Sequence, residues 1–248
     1  HNDNLHYILS PAKMAPKRRN ARTIQTKTPT TPSLTVFFYH PDEKPYGFFC
    51  QWKSSPNTIP TIILHIVADK PSTPTILVEH GDSITFSCAE QSYMFCKALY
   101  FGDAESCKRI LATTDPAEQK KLGKSVKGFS DEEWDEVKSR IARVGNWYKF
   151  TNAENRHMRD VLLGTEDMEL AEAGRRDRVW GIGYQAHEAE RYRQNWGTNK
   201  LGKALMAVRT RIREVMIKER ESGVLEDWDW DGGEADEVDE AELRVWTR

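Results

Sequence analysis

Ser130, followed by Asp131, Glu132 and Glu133 at the head of DEEWDEVKSRIARVGNWYKF, constrains the fold more than any other feature of this sequence. A serine hydroxyl accepts from the N–H three residues on, and a glutamate at that third position can return the bond. Acidic groups in the first turn oppose the positive end of the helix. The pattern predicts a long helix from Asp131. A second one follows near the C-terminus, where Leu201, Leu205, Val208, Ile212 and Val215 recur at spacings of four, three, four and three behind a cap at Thr198 or Asn199. That stripe is core.

Helical character begins at Ala89. In AEQSYMFCKALYFGD, Ala89–Asp103, Glu90 and Lys97 stand seven residues apart, two turns, with Tyr93 and Met94 between them on one face. Phe95, Cys96, Leu99 and Tyr100 form the face that packs into protein. Two readings of the charged face are open: a solvated surface, or the lining of a partly desolvated pocket in which ionisable groups acquire shifted pKa values. Asp103 caps AESCKRILAT, Asp115-Pro116 opens AEQKKLGK, and Thr151 or Asn152 starts NAENRHMRDVLLG, which Gly164 ends.

Before Ala89 the apolar runs are short. LTVFFYH, from Leu34, reads as a strand; PDEKPYG turns the chain into FFCQW, a second short apolar run; Ser54–Asn57 breaks the pattern. TIPTIILHIVAD, PTILVEHGD and SITFSC read as three more strand-like segments. The expected fold is mainly α with a small N-terminal β portion, an α+β domain.

That domain is expected over residues 34–221 as one compact unit, within the usual size of about 100–200 residues. Residues 1–33 carry Lys13, Lys17, Arg18, Arg19, Arg22 and Lys27 against Asp3 alone and are expected to form a flexible basic arm. Residues 222–248 form an acidic tail, expected to stay disordered, in which Trp228 and Trp230 can dock on the domain or a partner. No apolar run reaches the roughly 18–20 residues of a membrane span. Neither a leader pattern nor a CxxC spacing is visible, so Cys50, Cys88, Cys96 and Cys107 are expected to be reduced thiols of an intracellular protein, cytoplasmic or nuclear. The KRRNAR run is of the kind that addresses proteins to the nucleus or touches nucleic acid.

GIGYQA, Gly181–Ala186, fits the dinucleotide fingerprint formally but is preceded by Arg175-Arg176-Asp177-Arg178 where a buried strand should be, which excludes that use. Gly181 and Gly183 can instead let the backbone approach a ligand beside the Trp180 indole; Trp180 as a core residue is equally compatible. WGTNKLG, Trp196–Gly202, can place a helix N-terminus at an anion such as a diphosphate, or serve only as a cap. The irregular stretch from Gly164 to Gly197 is long enough to be functional, and it holds Glu172, Asp177, Trp180 and Trp196. Histidines in no HxH, HxxH or HExxH arrangement make a metal site unexpected, and no cofactor is expected.

The ordered series AEQSYMFCKALYFGD, ILATTDPAEQKKLGK, NWYKFTN, LAEAGRRDRVWGIG and NWGTNKLGKALMAVR resembles the NADAR family, also called YbiA-like proteins, over about Phe37 to Arg213. FFCQWKSSP extends the likeness, with Gln51 and Trp52 where the family has a Ser-Asn-Phe-Tyr-like sequence. The resemblance implies a mostly helical fold with a small β portion and N-glycosidase chemistry. Its implied substrates are ADP-ribosylated guanine in nucleic acid, the preferred reading, or ribosylaminopyrimidine intermediates of riboflavin synthesis. A non-catalytic ADP-ribose or NAD reader uses the same pocket, and an interaction module built on the acidic tail needs no small molecule. The resemblance assigns Glu90 to acid/base work and makes Lys97 a candidate nucleophile through a Schiff base, or a phosphate contact. Asp177 joins them in the catalytic set, orienting the ribose hydroxyls or stabilising cationic character, and Gln51, Trp52, Tyr93, Lys149, Glu172, Trp180, Gly181, Gly183, Trp196 and Asn199 are assigned to ligand binding. For Lys149 and Glu172 a supporting buried ion pair is the alternative.

Overall fold

A computed structural model describes residues 35–223. The expected basic arm and the acidic tail from Val224 onward lie outside the described residues. In chain order the elements are β1 (Thr35–Phe38), β2 (Ser54–Pro60), α1 (Thr61–Ala68), α2 (Thr73–Leu77), β3 (Ser83–Cys88), α3 (Ala89–Tyr100), α4 (Ala104–Leu111), α5 (Pro116–Lys124), α6 (Asp131–Thr151), α7 (Arg156–Gly164), β4 (Glu169–Glu172), α8 (Ala186–Ala189) and α9 (Lys200–Glu221). The fold is mainly helical with little strand, as expected.

Three of the predicted helix caps operate as written, whereas the start expected at Thr151 or Asn152 becomes a 3-10 turn, Ala153–Asn155, that leads into α7. Ser130 Oγ accepts from Glu133 N–H, Asp103 Oδ1 from Ser106 N–H, and Asp115 Oδ1 from Ala117 N–H. Leu201, Leu205, Val208 and Ile212 are buried, and α9 lays this stripe on α6 and β4. Each such side chain contributes about 1.5–3 kcal/mol by leaving water. α3 packs against α4, α5 and α6, and all of its residues are buried, Glu90 and Lys97 included. A solvated face for this helix is thereby ruled out.

The β portion departs from expectation. TIPTIILHIVAD supplies the end of β2 and then α1, and PTILVEHGD supplies α2 with a 3-10 turn at Val78–His80. In α1 the buried Ile63, Leu64, Ile66 and Val67 sit at helical spacing, and burying that face outweighs the strand preference of β-branched residues. Ser54–Asn57, expected as a break, opens β2, with Ser55, Asn57 and Ile59 facing inward. FFCQW lies across a 3-10 turn, Tyr46–Phe49, and the loop after it. Two small sheets result. β2 and β3 are antiparallel, pairing Thr58 with Thr85 and Ile59 with Ile84, whereas β1 and β4 are parallel, pairing Val36 with Leu170 and Phe38 with Glu172.

Candidate active site

β3 delivers the chain to α3 through the extended backbone of Cys88, which puts Glu90 in the first turn of the helix. Its N–H donates to the Gln51 carbonyl at 3.0 Å, fixing α3 to the loop after the Tyr46–Phe49 turn. Glu90 is 5% exposed, and its Oε1 has no hydrogen-bond partner among the described residues. Burial raises its pKa to about 7, against the charge of Lys120 and the Trp52 indole N–H, both of which favour the ionised form. The positive end of α3 acts in the same direction as Lys120, yet desolvation prevails.

A second carboxyl reaches the same place from the other sheet. Glu172 ends β4, and its backbone is held on both sides: its N–H donates to Asn199 Oδ1 at 3.1 Å and its carbonyl accepts from Ile182 N–H at 2.9 Å. Asn199 Nδ2 in turn donates to the Leu170 carbonyl at 2.8 Å. Burial raises the Glu172 pKa to about 7, reinforced by the charges of Asp177 and Glu90 and offset by Lys120. Its Oε2 is also buried without a partner among the described residues. Asp177 shapes the lip: Oδ1 accepts from the N–H groups of Val179 and Trp180 at 2.9 and 2.7 Å. This turn sets Trp180 edge-on to Tyr93, with ring centres 5.1 Å apart.

These groups line one cleft of about 390 Å³, within the usual range of about 300–1,000 Å³ for small-molecule sites. It gathers Gln51, Trp52, Glu90, Tyr93, Glu172, Asp177 and Trp180 from the expected set. Gln51 Oε1 and the Tyr93 hydroxyl join the two carboxyls as buried polar atoms without partners among the described residues. Buried polar atoms are normally satisfied, so this concentration points to a polar ligand. Two carboxyl groups poised near neutrality can divide the roles of acid and base.

Lys120, Tyr39 and His40 also line the cleft and went unrecognised in the sequence. Lys120 sits on the correctly expected helix α5, but helix periodicity does not say which outward residue meets a distant loop. Its Nζ lies 5.8 Å from the Trp52 ring centre.

The remaining expected residues lie elsewhere. Lys97 Nζ rests 3.8 Å from the Phe129 ring centre and 5.8 Å from that of Trp134; Trp134 packs on Tyr93, so Lys97 is one ring removed from the cleft lining. Burial lowers its pKa. Lys149 is fully buried and donates to the Cys50 carbonyl at 3.0 Å, with its pKa lowered by burial to about 8; it holds the Cys50–Trp52 loop from behind and forms no ion pair with Glu172. Gly181 admits chain, not ligand: a Cβ there would lie 2.7 Å from the Glu172 carbonyl oxygen. Gly183, at φ +81°, has Arg178 against it. Trp196 packs on Phe37 and donates to the Ala189 carbonyl.

The expected anion site at the start of α9 is also corrected. Asn199 does not cap by its side chain, and the N–H groups from Gly197 to Leu201 donate to the carbonyls of Ile182, Arg178, Gly181, Val179 and Trp180. Those donors tie the Asp177–Ile182 loop to the helix and are not available to a diphosphate. Among the described residues, no group of three or more His, Cys, Asp or Glu is placed to hold a metal, and no helix is long and apolar enough to cross a membrane.

The NADAR domain family matches residues 37–213. An N-glycosidase of Acanthamoeba polyphaga mimivirus is 39% identical over 123 residues, 49% of this chain and 71% of its own. An N-glycosidase of Nostoc punctiforme is 31% identical over 184 residues, 74% of this chain and 96% of its own. The solved structure of E. coli YbiA has the same fold, with a TM-score of 0.54 at 20% identity, covering 75% of this chain and 89% of that one.

Proposed function

Since the chain belongs to the NADAR family, we propose that it is an N-glycosidase, and that its substrate is ADP-ribose joined to a guanine base of nucleic acid. The observation that carries this is the pair of carboxyls, Glu90 and Glu172, each with a pKa near 7 in one cleft walled by Tyr93, Trp180 and Trp52.

Breaking the bond between an anomeric carbon and a nitrogen requires a proton on the departing nitrogen, charge stabilisation at the carbon, and a nucleophile. Glu90 is the acid and protonates the nitrogen as the bond breaks. Glu172, ionised, faces the developing cation and takes a proton from the water that adds to the anomeric carbon. Glu90 ends ionised and Glu172 protonated, and exchange with solvent resets them. The cleft, which sets aromatic rings beside carboxyls and one lysine, suits a ligand carrying bases and ribose, because planar rings stack on Trp52, Trp180 or Tyr39 while Lys120 meets a phosphate.

The direct route is preferred over a Schiff base because the Lys97 ammonium sits on Phe129, outside the cleft lining. Incubation with ADP-ribosylated guanine oligonucleotide is expected to release free ADP-ribose and intact nucleic acid. Borohydride added during turnover is expected to leave no ADP-ribosyl adduct on the protein. An adduct present in the wild type and absent in Lys97→Ala would overturn the direct route. Binding of ADP-ribose without release would make the chain a reader, and hydrolysis confined to ribosylaminopyrimidines would replace the substrate.

A further inference from the structure

The loop that shapes the cleft also carries positive charge that the chemistry above does not use. Gly174 abuts Tyr39, whose ring would lie 3.3 Å from an added Cβ, and Asp177 lines the cleft. Arg175 and Arg176 stand between these two points on the lip, both exposed, and no ion pair or hydrogen bond among the described residues engages either. The positive surface continues away from the lip. The Arg178 guanidinium donates to the Asn195 carbonyl at 2.6 Å and lies 5.8 Å from the Tyr184 ring centre, Tyr184 stacks on Tyr192 at 5.0 Å and 12°, and the Arg191 guanidinium lies 5.6 Å from the Tyr192 ring centre. Each ring thus has a guanidinium within cation–π range, and that of Arg178 keeps its other N–H groups beyond the Asn195 bond.

Acidic groups on the same segment are already engaged. Asp177 Oδ1 accepts from Val179 and Trp180, Glu188 accepts from Gln185 N–H, and Glu190 pairs with Arg193. Arg175, Arg176, Arg178 and Arg191 are all exposed on the segment that reaches the cleft at Asp177 and Trp180. A small substrate that fits inside the cleft has no use for charge arranged outside it.

We infer that Arg175, Arg176, Arg178 and Arg191 form a track for the phosphate backbone of a nucleic-acid strand whose modified base enters the cleft, an inference that rests on the proposed substrate. Guanidinium groups suit this role because they grip phosphate through two parallel hydrogen bonds. The track fixes the strand, and base chemistry stays with the cleft.

The test compares the wild type with Arg175→Glu/Arg176→Glu and with Arg191→Glu, none of which touches the acid–base groups. Hydrolysis is measured on two substrates, an ADP-ribosylated guanine mononucleotide and an ADP-ribosylated single-stranded oligonucleotide. The double variant is expected to lose about tenfold or more in kcat/KM on the oligonucleotide and less than about twofold on the mononucleotide, with Arg175→Lys/Arg176→Lys restoring most of the loss. In anisotropy titrations with an unmodified oligonucleotide, the slope of log Kd against log salt is expected to shrink by about 0.7 per phosphate contact removed. Equal losses on both substrates, or unchanged oligonucleotide binding and salt slope in both variants, would overturn the track. If the wild type cleaves neither substrate, the proposed function fails, and the salt slope still decides the track.

Discussion

At the residue scale, the outcome turns on two glutamates that share a desolvated cleft. Glu90 must be protonated to act as the acid and Glu172 ionised to act as the base, so kcat/KM is expected to peak near pH 7 and fall on both sides. The two limbs belong to the coupled pair, since the charge of Glu90 raises the pKa of Glu172. Glu90→Gln is expected to cut kcat by about 10²–10⁴-fold and to abolish the alkaline limb of what remains, while Glu172→Gln removes the acid limb. A single titration below pH 5 in the wild type would contradict these roles. Glu90 was legible in the sequence through its spacing and its motif. The partnership with Glu172 was not, because 82 positions separate them and only the tertiary fold brings the first turn of α3 and the end of β4 to the walls of one cleft.

At the element scale, the junction of β4 with α9 does the positioning. Asn199, at φ +53°, bonds the Glu172 N–H and the Leu170 carbonyl with its side chain, and Gly202 lets the helix come down onto the strand. A Cβ at Gly202 would lie 2.0 Å from the Leu170 carbonyl oxygen, and backbone cannot swing aside. Gly202→Ala is therefore expected to cost at least about 2–3 kcal/mol, read as a lowered urea midpoint, along with activity through displaced Glu172. Gly123→Ala is the contrast. The nearest atom there is the Met94 sulfur, at the flexible end of a side chain, so the cost is expected to be smaller although Met94 lines the cleft. The sequence placed α9 and its stripe correctly but read Trp196–Asn199 as a ligand turn, because N–H groups at a helix start look available until the loop that consumes them is seen.

At the scale of the whole molecule, the site is carried at a cost in stability. A carboxyl whose folded pKa lies above its unfolded value holds more protons in the native state, so stability is greatest below about pH 4 for that group and falls as pH rises toward 7. Both Glu90 and Glu172 act in this sense, from 4.5 to about 7. Glu172→Gln is thus expected to be more stable than the wild type at pH 8 by on the order of 2 kcal/mol, with the difference vanishing near pH 4. Urea midpoints at the two pH values with unchanged m would check it. The sequence by itself determined the helical character, the helix starts, the core stripe of α9 and the resemblance that singled out Glu90, because caps and periodicity act between residues a few positions apart. It misassigned α1 and α2, whose short apolar runs suit a strand or a buried helix equally until their neighbours are in place. Only the tertiary structure decided that α3 is wholly buried, that Glu172 and Lys120 share the cleft with Glu90, and that Lys97 does not line it. Those facts depend on which surfaces meet across long stretches of chain, and desolvation, which sets both carboxyls near neutrality, exists only once they have met.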